Sequence, residues 1–311
     1  MKKIIVSIDW GGTFIKLGIF DAVRRKLLYF KRYSSEKLTK PERFFPALEG
    51  LLQKSFRERK LSYRNIEGTA IGAPGIIDMK DSFIYYLPNI AGWENFPFKY
   101  EFERKFPFPL LVFDNDANLA AWGEFKEGTL RDSNNAALVT LGTGIGCGLI
   151  IGRRLFHSRT SAAEAGHMAI SLQRKKCSCS AYGCVEAFLG EAFFLDSLEK
   201  RFWRQYKIHT LKDLFILAKR GNQQALVYWA RYGKILGVFL ANLINLLNPD
   251  HIALGGGISG AFTFFRAALE RELQRQAMKP QLSQVVVTKA SLGNRAGVWG
   301  GFWLAKEKLK K

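Results

Sequence analysis

The feature that most restricts this chain is a pattern that occurs twice. IIVSIDWGGTFIKLGIF (residues 4–20) and ALVTLGTGIGCGLIIG (137–152) both read as strand, glycine turn, strand. Aliphatic and β-branched runs interrupted by glycines fold as hairpins, and a plan that recurs implies two units built alike. KLLYFKRY extends the first hairpin, and GTAIGAPGIID and PLLVFDND add strands. PERFFPALEGLLQKSF and ANLAAWGEFKEG have helical spacing. The second unit continues with the long apolar helix ALVYWARYGKILGVFLANLINLLN, the strand and turn HIALGGGISG, the helix AFTFFRAALERELQRQ, the strand QVVVTKA and the last helix RAGVWGGFWLAKEKLKK. Strands interleaved with helices predict an α/β protein. A length of 311 residues allows two lobes sharing a cleft, divided near residue 118 where the repeat divides.

Each repeat ends its first strand at glycines, whose backbone N–H groups approach phosphate without Cβ obstruction. Asp9-Trp10-Gly11-Gly12-Thr13 adds a carboxylate and a hydroxyl, and Gly142-Thr143-Gly144-Ile145-Gly146 offers a second cradle. One such turn is commonly only a turn; two, one per unit, could grip a polyphosphate chain from both sides. No Walker-type phosphate loop is present. Gly255–Gly260 (GGGISG) matches the dinucleotide fingerprint, but the next strand ends near Lys289 without the ribose-binding acid. A dehydrogenase is therefore disfavoured. FDNDAN places Asp114, Asn115 and Asp116 at a strand end before a helix. Alternation predicts Asp114 and Asp116 on one face. An Asp there could take a proton from an attacking hydroxyl, or Asp116 or Asn118 could simply cap the helix.

Charge points to anionic partners. Residues 1–117 carry 20 basic and 14 acidic side chains, and residues 118–311 carry 27 and 13. The net charge of +20 suits nucleotides or polyphosphate, or marks only a solvated surface. The aromatics of FKYEFERKFPFPLLVF are expected to pack in a core rather than stack on nucleic acid. No apolar run reaches the roughly 18 residues of a membrane span. The start MKKIIVSIDWGG is broken by Asp9 and lacks a small-residue cleavage site, so a cytoplasmic protein is expected. Three of four cysteines fall in Cys177–Cys184, with His167 ten residues before the first. Metal binding or chance could explain the cluster. Cys147 reads as a buried thiol, and His157, His209 and His251 as structural or surface residues.

DWGGT, APGIID, PNIAGWENFP, DNDAN, GTGIG, EAGHM, CSCSAYGCVE and GGGIS follow one another from residue 9 to 259. In these motifs the chain resembles the ROK family (repressors, open reading frames, sugar kinases), and within it the bacterial glucokinases. The resemblance implies the actin-like ATPase fold, a duplicated ribonuclease H-like unit with two lobes around a cleft. The smaller lobe would be 1–117 joined by the C-terminal helix 295–311; the larger, 118–294, would hold a zinc loop and nucleotide-binding elements. ATP with Mg²⁺ would phosphorylate the 6-hydroxyl of a hexose, glucose first among candidates, with polyphosphate an alternative donor. Asp116 would be the general base. Gly75, Asn89, Asn115, Glu164, His167 and Glu186 would contact the sugar. Asp9, Gly11, Gly12, Thr13, Thr143 and Gly144 would surround Mg²⁺ and phosphates, and Gly256 and Gly257 the adenosine. His167, Cys177, Cys179 and Cys184 would hold zinc, one imidazole and three thiolates being a common closed structural set. A homodimer is possible in this family. Its repressors carry a helix-turn-helix before the first phosphate motif, which here begins at Asp9, so the kinase branch is expected. Ser180 stands where the family's cysteine motif has glycine.

Overall fold

The computed structural model describes residues 2–35, 40–88, 90–158 and 160–310. The first unit runs β1 (Ile4–Trp10), β2 (Phe14–Asp21), β3 (Lys26–Ser34), α1 (Pro41–Arg59), β4 (Ile66–Ala73), the small hairpin β5 (Ile76–Asp78) and β6 (Phe83–Tyr86), α2 (Phe98–Lys105) and β7 (Leu111–Asn115). Then follow α3 (Asp116–Glu127), β8 (Ala136–Leu141), β9 (Ile145–Ile151), β10 (Arg154–Leu155), four short helices α4 (Val185–Leu189), α5 (Glu191–Asp196), α6 (Lys200–Tyr206) and α7 (Leu211–Lys219), and the long α8 (Gln223–Leu247). β11 (His251–Gly255), α9 (Phe262–Gln276), α10 (Lys279–Leu282), β12 (Val286–Lys289) and α11 (Ala296–Lys308) complete the chain.

The predicted duplication is visible in the sheets. One has the order β3-β2-β1-β4-β7 and the other β10-β9-β8-β11-β12. In each, an antiparallel hairpin leads and two parallel strands follow. β1 is buried along its whole length, as expected of a central strand covered on both faces. Beneath the first sheet lies an aromatic core in which Trp10 contacts Phe44 and Trp93 at 4.2 and 4.6 Å between ring centres. Phe98 and Phe102 of α2 are buried there too, and Phe98 stacks on Phe113 at 4.4 Å. The aromatic stretch is thus packing material. α8 and α9 cover one face of the second sheet. Asn222 begins α8 by accepting from the Ala225 N–H at 2.9 Å.

Between the sheets lie two helices. α11 packs Val298, Phe302 and Ala305 against Ile5, Phe20, Ala70 and Val112 of the first sheet. α3 packs Ala121, Trp122 and Phe125 against Leu138, Ile150 and Ala253 of the second. The helices meet where neither has a side chain. A Cβ on Gly300 would lie 1.7 Å from the Leu119 carbonyl oxygen, and one on Gly123 2.1 Å from that of Ala296. Glycine is required at this crossing because backbone touches backbone.

Candidate active site

A cavity of about 990 Å³ opens between the two sheets. Its walls include Gly11, Gly12, Thr13, Gly75, Asn115, Asp116, Thr143, Gly144, Glu164, His167, Glu186, Gly256 and Gly257. The turn after β1 is closed by the Gly11 N–H donating to the Phe14 carbonyl at 3.0 Å, and Trp10, buried in the aromatic core, anchors it. The turn after β8 is closed by Gly142 N–H to Gly144 O at 3.1 Å. The two glycine turns therefore face one cavity. Asp9 is not in its wall. It is buried beneath Lys16, whose ammonium reaches it at 2.8 Å. Asn89 lies outside the described residues.

β7 ends at Asn115, and Asp116 is the first residue of α3. The strand alternation that would have put Asp114 and Asp116 on one face is thus broken by the start of the helix. Asp114 turns away from the cavity, accepting from Asn118 Nδ2 at 2.9 Å and pairing with His157 Nε2 at 2.8 Å. Capping falls to neither Asp116 nor Asn118. Asn115 caps α3, its Oδ1 accepting from the N–H groups of Ala117 at 2.9 Å and Asn118 at 3.4 Å. Its amide nitrogen remains on the cavity side, 3.4 Å from Gly75 O. That carbonyl also accepts from Ser161 Oγ at 3.1 Å.

Asp116 lines the cavity from the helix N-terminus, one carboxylate oxygen accepting from the Ala117 N–H at 2.8 Å. Burial pushes its carboxyl up to about 6; the Asp9 charge adds to this and Lys16 partly opposes it. Burial likewise pushes Glu164 up to about 7, helped by Asp116 and Glu186. Burial works against the charge on Lys16, yet Asp9 overrides it and holds the ammonium above its ordinary range. Carboxylates gathered in a half-dry cavity are costly unless hydroxyl donors or cations meet them. Lys16 was not singled out in the sequence. Its signal was strand alternation, since Phe14 and Lys16 share a face of β2 and both line the cavity. Arg32 of β3 stands beside them, its guanidinium 4.2 Å from the Phe14 ring centre.

Glu186 joins the second glycine turn to the cysteine loop. Its Oε2 accepts from the Ile145 N–H at 3.0 Å and its Oε1 from Ser178 Oγ at 2.5 Å. A Cβ on Gly144 would lie 2.4 Å from Oε2, so a larger residue there would have to push this carboxylate aside. In the loop, the ligand atoms of His167, Cys177, Cys179 and Cys184 all lie within 4.8 Å of one another. Cys179 Sγ is 3.8 Å from Cys184 Sγ, and Cys177 Sγ 3.6 Å from His167 Nδ1. Tetrahedral zinc with ordinary Zn–S and Zn–N bonds requires edges of about 3.8 and 3.6 Å. The donor set and its spacing therefore fit one four-coordinate zinc, closed to further ligands. Ser180, with φ of 71°, occupies the left-handed conformation that favours glycine.

Comparison with known proteins settles the family. The ROK family profile matches residues 5–308. The chain belongs to the ROK family. A ROK relative, glucokinase from Halalkalibacterium halodurans, is 32% identical across 97% of this chain and 94% of its own length. The xylose repressor of Caldicellulosiruptor bescii is 28% identical across 95% of this chain and 76% of its own. Among solved structures, a ROK glucokinase from Streptomyces griseus in complex with glucose and AMPPNP superimposes with a TM-score of 0.82 at 26% identity, covering 98% and 99% of the two chains. The two-sheet architecture is accordingly the actin-like ATPase fold of ROK sugar kinases. The expected structural use of two other histidines also fits this ROK chain: His157 pairs with Asp114, and His251 Nε2 lies 2.7 Å from Thr288 Oγ1. Cys147 is buried. Among the described residues no helix is long and apolar enough to cross a membrane.

Proposed function

We propose that this protein is an ATP-dependent hexokinase acting on glucose. The observation that carries the reading is Asp116. It is the one acid of the DNDAN motif aimed into the cavity, and its carboxyl is poised at about 6 between two phosphate-type glycine turns and the carboxylates of the cysteine loop. A general base works best when its pKa approaches the working pH. The lobes we assign are 1–117 with the C-terminal helix 295–311, and 118–294, closing over the sugar.

In this reading the hexose lies against Gly75, Asn89, Asn115, Glu164, His167 and Glu186. The Asn115 amide is a donor held in place by its own capping bonds, and Glu164 and Glu186 accept from ring hydroxyls. Gly11, Gly12, Thr13, Thr143 and Gly144 cradle the phosphates, with Gly256 and Gly257 beside the adenosine. Asp9 would offer Mg²⁺ a hard oxygen ligand alongside phosphate once it gives up its bond to Lys16; when bound, the ion would neutralise charge on the transferring phosphates. The sugar 6-oxygen attacks the γ-phosphorus as its bond to the bridging oxygen breaks. The hydroxyl proton passes to Asp116, and ADP leaves. Catalysis is then mainly positioning and electrostatics, and closure over the sugar excludes water as a competing nucleophile.

An ADP-release assay across a hexose panel tests this. Glucose should give the highest kcat/KM. No sugar-dependent ADP release from any hexose would overturn the kinase reading and favour a sugar-responsive repressor, which needs the sugar contacts but no base. The basic second half raises polyphosphate as an alternative donor, which the same assay tests by replacing ATP; no turnover with it is expected.

A further inference from the structure

A second cavity, of about 430 Å³, lies behind the cysteine loop, bounded by that loop, α4 and α8. Arg231, Ile235 and Val238 line it from α8, spaced so that all three share one helix face. Phe188 of α4 and Lys175 of the loop complete it. Two cations thus enter a largely apolar chamber. The Arg231 guanidinium is held by Ser197 through its backbone carbonyl at 3.2 Å and by the rings of Phe194 and Tyr228 at 5.0 and 5.3 Å. Its Nε is buried without a hydrogen-bond partner. The Lys175 ammonium donates to the Phe193 carbonyl at 3.1 Å and lies 5.5 Å from the Phe188 ring centre. An ammonium has three donors, so capacity remains.

Neither cation forms an ion pair among the described residues. Two like charges beside one cleft, one with an unsatisfied N–H, are stabilised by an oxyanion of matching charge. A phosphate monoester carries nearly two negative charges, and Phe188, Ile235 and Val238 would receive its carbon body. A volume in this range suits a small organic ligand.

The chamber also touches the loop's mechanics. The Lys175 carbonyl accepts from the Gly183 N–H, and the Gly183 carbonyl from the Ile170 N–H, both at 2.9 Å. Gly183 precedes Cys184, and Phe188 stands two residues beyond Glu186. We propose that this cavity is an effector site for a small phosphate monoester with an apolar body, whose binding alters sugar affinity through the cysteine loop. The effector half rests on the sugar-kinase reading above.

The probe is phenyl phosphate, titrated calorimetrically into the full-length protein, with inorganic phosphate as the bodiless control. Saturable binding at least tenfold tighter than that of inorganic phosphate is expected. Lys175→Gln should weaken it tenfold or more. Val238→Trp, which fills the chamber and leaves both cations in place, should do the same. Saturating phenyl phosphate should shift the sugar KM at least twofold in wild type and leave it unchanged in Val238→Trp. Absence of saturable binding, equal binding to Val238→Trp, or an unmoved sugar KM in an active wild type would each overturn the proposal. A wild type that turns over no sugar would instead sink the kinase reading, and calorimetry would still decide the site.

Discussion

Replacing Asp116 with Asn keeps the shape of the side chain and removes its ability to take a proton. Two effects of opposite sign should follow. As a general base, Asp116 should contribute about 10²–10⁴ in rate, so kcat should fall by that factor while sugar affinity changes little. The wild-type kcat/KM should lose its slope above pH ~6 and fall about tenfold per pH unit below it, because the carboxyl titrates at about 6. In Asp116→Asn that limb should vanish. Stability should move the other way. The folded carboxyl titrates at about 6 against an ordinary 3.8, so folding disfavours its charged form. The cost is absent below 3.8, grows as pH rises, and is complete above about 6. It amounts to roughly 3 kcal/mol for a dry carboxylate and about 1–2 once cleft water screens it. Thermal unfolding without nucleotide should therefore show Asp116→Asn melting several degrees above wild type at pH 8 and level with it at pH 3.5. A variant that retains more than a tenth of wild-type kcat, or that keeps the limb near pH 6, would refute the assignment of the base. A variant no more stable at pH 8 would refute the claim that burial holds the carboxyl up.

Elemental analysis should find about one zinc per chain, as one four-ligand site requires; Cys179→Ala should lose it and raise the sugar KM at least tenfold while the ATP KM barely moves, and metal-free wild type with normal sugar KM would remove the claim. Ser180→Gly should raise stability by about 0.5–1 kcal/mol, because a serine held at φ of 71° bears strain that glycine does not; a lower melting temperature would contradict this. Gly300→Ala should cost about 3 kcal/mol or more, since its methyl would lie 1.7 Å from the Leu119 oxygen and must push α11 off α3; a melting temperature within a degree of wild type would show that the crossing yields. Polyphosphate is expected to give no turnover; if it does, raising salt to ~0.2 M should weaken that activity far more than the ATP reaction.

Much of this architecture is local in origin and so was legible in the chain. β1, β2, β8 and β9 announce themselves by aliphatic runs broken at glycine, and α8 by its apolar spacing, because strand and helix periods are properties of neighbouring residues. The four donors of the cysteine loop are close in sequence, and a metal set within one loop can be read from spacing. The family motifs added the roles. What the sequence did not show depends on contacts between distant segments. Whether Asp114, Asn115 or Asp116 faces the cavity turned on where β7 gives way to α3, and Asn115 decided it by capping the helix. That Asp9 would lie under Lys16, and that His157 would claim Asp114 from 43 positions away, required β1, β2, β7 and the loop after β10 to be assembled. The Gly123–Gly300 crossing was invisible for the same reason: each glycine is an ordinary helix residue until the other helix arrives. The carboxyl of Asp116 shows the division most plainly. Its identity as an acid at a strand end belongs to the sequence. Its pKa of about 6 belongs to the fold, because the Asp9 charge comes beside it only when β1 and β7 are assembled in one sheet, and desolvation arises only when the cavity forms.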